Sequence, residues 1–96
     1  MKLLGVKVSN MQSFAGNFVP NQFTIVVEDF IFFQSYDTVI AMKHGDKLYL
    51  DENDWNYSRT TSKYRNEFTG LTTKETQEGI KKGSIILADL NKRRGL

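Results

Sequence analysis

Within residues 22–28 the hydrophobic residues Phe23, Ile25 and Val27 recur at every second position, and after Ser58 the residues Thr61, Tyr64 and Phe68 recur at every third or fourth. Alternation sends successive side chains to opposite faces of a strand, whereas the longer spacing gathers them on one side of a helix. The chain therefore changes its structural period near its middle, with strands first and helices second. That order predicts an α+β domain.

The strand half reads in detail. Phe23, Ile25 and Val27 share one face, and Thr24, Val26 and Glu28 the other. Glu28-Asp29 predicts a tight turn into Phe30-Ile31-Phe32-Phe33-Gln34, a strand too apolar to have a solvated face. Thr38–Met42 is a third strand. His44-Gly45-Asp46 is a hairpin turn, because Gly45 takes a positive φ without steric cost. Lys47–Leu50 is the return strand. Residues 3–8, with Leu3, Leu4, Val6 and Val8, predict a short first strand. Residues 9–21 have no clean period and contain Gly16 and Pro20, which predicts a long loop. Ser84–Leu90 is a last strand. Consecutive strands usually pair, so the expectation is an antiparallel meander of about five to six strands packed by one or two short helices.

The helix half carries its own punctuation. Ser58, Thr60 or Thr61 can cap a helix that runs to about Phe68 and ends at Gly70. Helical spacing places Thr61, Tyr64, Arg65 and Phe68 on one face, and Arg59, Ser62, Lys63 and Asn66 on the other. Thr72-Thr73-Lys74-Glu75 fits a capping box for a second helix that Gly83 ends. Between Thr72 and Lys82 only Ile80 is strongly apolar, so this helix is expected to be mostly solvated. The domain is expected over residues 1–91, with residues 92–96 as a basic tail.

Ninety-six residues suffice for one domain and not two. A domain of this size buries only about 60–65% of its unfolded surface, which leaves little room for a deep pocket beside a core. There is no cysteine, which excludes disulfides, thiolate metal sites and cysteine nucleophiles. Small secreted domains usually need such staples, so an intracellular setting is expected. Lys7, Ser9 and Asn10 interrupt the N-terminal apolar stretch, which is not the pattern of a signal peptide. No apolar run approaches the roughly 20 residues that span a bilayer.

Little points to catalysis. His44 is the only histidine and falls in a turn, away from any nucleophile motif. One histidine without cysteine is a poor zinc set. Phosphate-cradling glycine motifs are absent. Asp51, Glu52 and Asp54 are oxygen ligands for Mg²⁺ or Ca²⁺ on paper, yet they lack calcium-loop spacing and also suit a polar turn before a helix. No catalytic residue, cofactor or metal is expected.

Charge points elsewhere. Residues 1–58 hold four lysines against seven acidic residues, net −3, and residues 59–96 hold nine basic residues against four acidic, net +5. A basic half is an electrostatic footprint for nucleic acid or an acidic protein, although a solvated surface with a basic tail explains it too. Within it, Trp55, Tyr57 and Tyr64 interleave with Arg59, Lys63 and Arg65. Aromatic faces stack on bases while basic groups hold phosphates, so Trp55, Tyr57, Arg59, Lys63 and Arg65 are the candidate nucleic-acid site. The structural alternative places Trp55 and Tyr64 in the core and pairs Arg65 with a carboxylate. The run Phe30–Phe33 with Tyr36 is apolar on both faces, which predicts either helices on both sides or an interface such as a homodimer.

Asn21-Gln22-Phe23, Phe33-Gln34-Ser35-Tyr36 with Ile40-Ala41, Leu50-Asp51 and the run Trp55-x-Tyr57-Ser58-x-Thr60-Thr61-x-Lys63-Tyr64-Arg65-x-x-Phe68 form a pattern. It extends to Ser9-Asn10-Met11, Ile80-x-x-Gly83 and Leu90-Asn91. The pattern resembles a family of small proteins of unknown function common in bacteriophage and prophage genomes. The resemblance implies a phage setting in the host cytoplasm and transfers no catalytic residue. It also implies an acidic-Gly turn before the aromatic strand, where this chain has Glu28-Asp29-Phe30. In such a setting the expectation is a non-enzymatic module that contacts nucleic acid around Arg59–Lys63. The alternative is a protein-binding module that inhibits or redirects a host or anti-phage defence factor.

Overall fold

A computed structural model describes residues 6–13 and 15–92. Leu3 and Leu4 of the expected first strand, Phe14 of the expected loop, and Arg93 and Arg94 of the basic tail lie outside them. Six strands form one sheet in chain order: β1 (Val6–Gln12), β2 (Phe18–Val27), β3 (Phe30–Ser35), β4 (Thr38–His44), β5 (Lys47–Asp51) and β6 (Ile85–Ala88). Helices α1 (Arg59–Thr69) and α2 (Thr73–Lys82) lie between β5 and β6. Strands β1 to β5 pair antiparallel through short turns, and β6 joins β5 in parallel. The parallel pair departs from a pure meander. A chain that traverses two helices returns to the same end of the sheet, which is the connection a parallel neighbour requires.

The long loop expected over residues 9–21 is largely strand. Ser9 pairs with Thr24, Asn10 with Phe23 and Gln12 with Phe18, leaving a short connection. A register shift between Asn10 and Gln12 breaks the alternation, which is why the segment has no visible period. Pro20, which has no N–H to donate, sits in the irregular stretch between those two pairs. Asn10 Nδ2 donates to the Val19 carbonyl across it at 3.0 Å.

Both helices begin and end on their predicted residues. Ser58 caps α1 by accepting from Thr61 N, and Gly70 ends it in the left-handed region at φ 78°. Thr72 and Glu75 form the capping box of α2, which Gly83 ends at φ 85°.

Residues opposite one another in neighbouring strands share a face. One cross-sheet row is therefore Thr24, Phe33, Ala41, Leu50 and Leu87. The helices cover this face. Thr61, Tyr64, Arg65 and Phe68 of α1 are buried against it, and the core comprises Phe33, Ile40, Ala41, Leu50, Tyr64, Phe68 and Ile85. The Phe33 and Phe68 rings stack with centroids 5.9 Å apart, and burying each contributes about 1.5–3 kcal/mol. Ser35 and Thr61 satisfy each other beneath α1 with hydroxyl oxygens 3.0 Å apart. Gly79 lets α2 close on β6, because a Cβ there would stand 2.5 Å from Ile85 Cδ1.

The next row, Val8, Ile25, Phe32, Met42, Tyr49 and Ile86, lies on the opposite face. Thus Ile31 and Phe33 point to the helices, while Phe30 and Phe32 point away from them.

Candidate functional site

The turn between β5 and α1 positions the Trp55–Arg65 segment. Asp51 ends β5 fully buried. Its Oδ2 accepts from Asn53 N at 3.2 Å and Asp54 N at 2.9 Å, and its Oδ1 accepts from Leu90 N at 2.9 Å. These amides take both carboxylate oxygens and tie the turn to the exit of β6. The acidic run therefore splits, with Asp51 inward and Glu52 exposed. Among the described residues, no group of three or more His, Asp or Glu side chains is placed to hold a metal ion.

Arg65 is the organising residue of the segment. Its side chain is fully buried. Nη1 donates to the Trp55 carbonyl at 2.8 Å and to Asn56 Oδ1 at 3.3 Å, and Nη2 donates to Asn66 Oδ1 at 2.9 Å and Thr73 Oγ1 at 3.0 Å. The guanidinium carbon also stands 5.2 Å from the centre of the Trp55 ring. These partners are neutral oxygens and a ring face, not the sheet carboxylate that was one expectation. Burial lowers the Arg65 pKa from its ordinary value, since a low dielectric disfavours the charged form. Nε has no partner. Arg65 thus joins the 55–56 turn, α1 and the start of α2, and presents no donor to solvent. Trp55 packs half-buried against the core.

The other candidates face outward. Tyr57 is 71% exposed, and Arg59 and Lys63 are exposed on the solvent side of α1. The Lys63 ammonium lies 5.3 Å from the Tyr64 ring centre, which holds the charge near the helix surface. Of the five residues expected to form one site, the structure keeps Tyr57, Arg59 and Lys63 on the surface and turns Arg65 and part of Trp55 inward.

Beside Tyr57 is a feature that the sequence reading did not assign to the site. A cavity of about 420 Å³ opens between the β3–β4 turn and the start of α1, and Tyr36, Asp37, Thr38, Tyr57, Ser58 and Thr60 are among its lining residues. Tyr36 is 55% exposed and occupies the left-handed region at φ 57°. A bulky residue there is strained, at a cost of about 1–3 kcal/mol. The strain is held by its neighbours: Tyr36 N donates to the Asn21 carbonyl at 2.6 Å, and Gln34 Nε2 donates to the Tyr36 carbonyl at 2.8 Å. The first amides of α1, on Arg59 and Thr60, have no partner within the helix. Two tyrosines and the start of α1 therefore line one cleft, and Arg59 and Lys63 are exposed on the same helix. The available clue was Tyr36 itself, a large residue in a two-residue turn.

The sequence profile of the Family of unknown function (DUF8033) matches residues 6–85. The chain belongs to that family. The DUF8033 match takes in β1 through the start of β6, and so includes the Tyr36–Tyr57 cleft and the Arg65 junction. No curated protein and no solved structure matches the chain. Among the described residues, no helix is long and apolar enough to cross a membrane.

Proposed function

We propose that this DUF8033 protein is a non-enzymatic binding module that contacts single-stranded nucleic acid at the Tyr36–Tyr57 cleft, acting in a bacteriophage or prophage setting in the host cytoplasm. The observation that carries this reading is the exposure of both tyrosines on one cavity whose rim includes the start of α1, the helix on which Arg59 and Lys63 are exposed. Stacking of a base on an aromatic ring contributes about 1–3 kcal/mol and tolerates any sequence. Asp37 on the opposite rim repels phosphate, so the backbone runs on the Arg59–Lys63 side and the bases turn toward the rings. The α1 dipole adds a favourable end for a phosphate at Arg59 and Thr60. Arg65 holds the turn that carries Trp55 and Asn56, next to Tyr57, and so keeps the cleft preorganised.

Fluorescence anisotropy with short labelled DNA and RNA strands, at low and moderate salt, tests the reading. Binding that weakens steeply with salt supports it through counterion release. Absence of binding at low salt overturns it.

A second reading, inhibition or redirection of a host or anti-phage defence protein, draws on Phe18, which is 70% exposed next to the 13–17 connection. Capture of a host protein from nuclease-treated lysate that depends on Phe18 supports this reading over the first.

A further inference from the structure

Most hydroxyls that line the Tyr36–Tyr57 cleft are spent on the fold. Ser35 Oγ and Thr61 Oγ1 pair at 3.0 Å. Ser58 Oγ accepts from Thr61 N at 3.1 Å and donates to Thr61 Oγ1 at 3.2 Å. Thr38 Oγ1 donates to Asp37 Oδ1 at 3.3 Å. What the lining leaves to a ligand is the two tyrosines, Thr60 and the Asp37 carboxylate. Asp37 is exposed and is the charged member of the described lining. An ionised carboxylate only accepts, and its two oxygens offer about four lone pairs. The Thr38 hydroxyl takes one of them, so both oxygens can still accept.

The backbone that carries Asp37 is fixed from two sides. Before it, Tyr36 N donates to the Asn21 carbonyl at 2.6 Å. After it, Asn91 accepts from Val39 N at 2.8 Å and donates to the Val39 carbonyl at 3.0 Å. A group held in place before the ligand arrives costs less ordering on binding.

We propose that the cleft selects guanine, with Asp37 accepting from the Watson–Crick edge of the base. This inference rests on the single-strand reading above and adds a base preference that stacking alone does not supply. Guanine presents N1–H and N2–H₂ side by side. Two parallel donors match the two oxygens of a carboxylate, as the paired donors of arginine do. Adenine and cytosine each set a ring-nitrogen acceptor beside their amine. Thymine and uracil set one N–H between two carbonyls. A carboxylate facing any of those edges meets a lone pair where guanine offers a hydrogen. Asp37 therefore attracts one base and opposes the others, which is selection by match and by clash together. The tyrosine rings supply stacking while the edge is read, the combination by which single strands are recognised in sequence.

Competition binding at low salt tests the proposal, with short thymine strands that carry one central guanine, hypoxanthine, adenine or cytosine. The guanine strand is expected to bind about fivefold to 150-fold more tightly than the all-thymine strand. Hypoxanthine keeps N1–H and lacks the N2 amine, so its strand is expected to fall between the two. Asp37→Asn presents one acceptor and one donor in place of two acceptors. Its preference is expected to move to adenine or cytosine, whose edges pair an acceptor with an amine. Equal affinity of wild type for all the strands overturns the proposal and leaves the single-strand reading standing. No binding of any strand overturns both. A guanine preference that persists in Asp37→Asn overturns the role of Asp37. A hypoxanthine strand that binds as tightly as the guanine strand overturns the paired-donor contact, and that comparison needs no variant.

Discussion

Arg65 Nη1 donates to the carbonyl of Trp55 at 2.8 Å, and the same guanidinium lies against the Trp55 ring at 5.2 Å. A basic residue within an aromatic and basic segment is thereby committed to the interior. It connects the turn after β5 to both helices without an acidic partner. Such a group is costly to bury and costlier to remove, because its acceptors remain buried behind it.

Arg65→Ala should therefore destabilise the domain by about 3 kcal/mol, read from urea unfolding at equilibrium. Arg65→Lys should recover only part of this, because one ammonium cannot serve acceptors on both sides of a planar fork. If Arg65→Ala left the unfolding midpoint unchanged, the junction described here would not be holding the segment together.

Glu28 occupies the left-handed region at φ 56° in the turn between β2 and β3. Glycine adopts that conformation freely. Glu28→Gly should stabilise the fold by about 0.5–1 kcal/mol, since relief of strain outweighs the added unfolded-state entropy. Thermal unfolding of Glu28→Gly beside the wild type measures it.

Gly79 should resist the usual helix-stabilising exchange. Alanine gains about 1 kcal/mol of helix propensity, but its Cβ would stand 2.5 Å from Cδ1 and 2.8 Å from Cγ1 of Ile85. Overpacking of a buried side chain costs about 1–3 kcal/mol, so Gly79→Ala should come out destabilising. Ile85→Val removes one of the clashing atoms, and the double variant should be more stable than additivity predicts.

On the exposed side of α1, Arg59→Ala and Lys63→Ala should each reduce the slope of log affinity against log salt by about 0.7, the share of one phosphate contact on a single strand. Neither should change stability by more than about 0.5 kcal/mol, since both side chains are exposed.

Much of this architecture is legible from residue order alone. Ser58, Gly70, Thr72 and Gly83 mark both helices because each residue type answers a specific need of a helix end. Helical spacing likewise separates Thr61, Tyr64, Arg65 and Phe68 from Arg59 and Lys63. The pairing of Ser9–Gln12 with β2 is hidden, because a register shift erases the alternation that reveals a strand. The direction of β6 is hidden because a strand reads alike whether it pairs parallel or antiparallel. Phe30–Phe33 is apolar at every position, so the sequence could not say which face the helices would take. Tyr36 belongs to the cleft through a backbone conformation its residue type disfavours, and composition carries no trace of that.

The cleft reading depends most on Tyr57, which has a free ring and no part in the core. The direct measurement is the affinity of wild type and Tyr57→Ala for a short labelled single strand at low salt, with unfolding monitored in parallel. The expected result is wild-type binding that falls about fivefold to 150-fold in Tyr57→Ala, equivalent to the loss of one stacked base, at unchanged stability. Equal affinities for the two proteins, or no binding by either, would contradict a nucleic-acid role for the Tyr36–Tyr57 cleft.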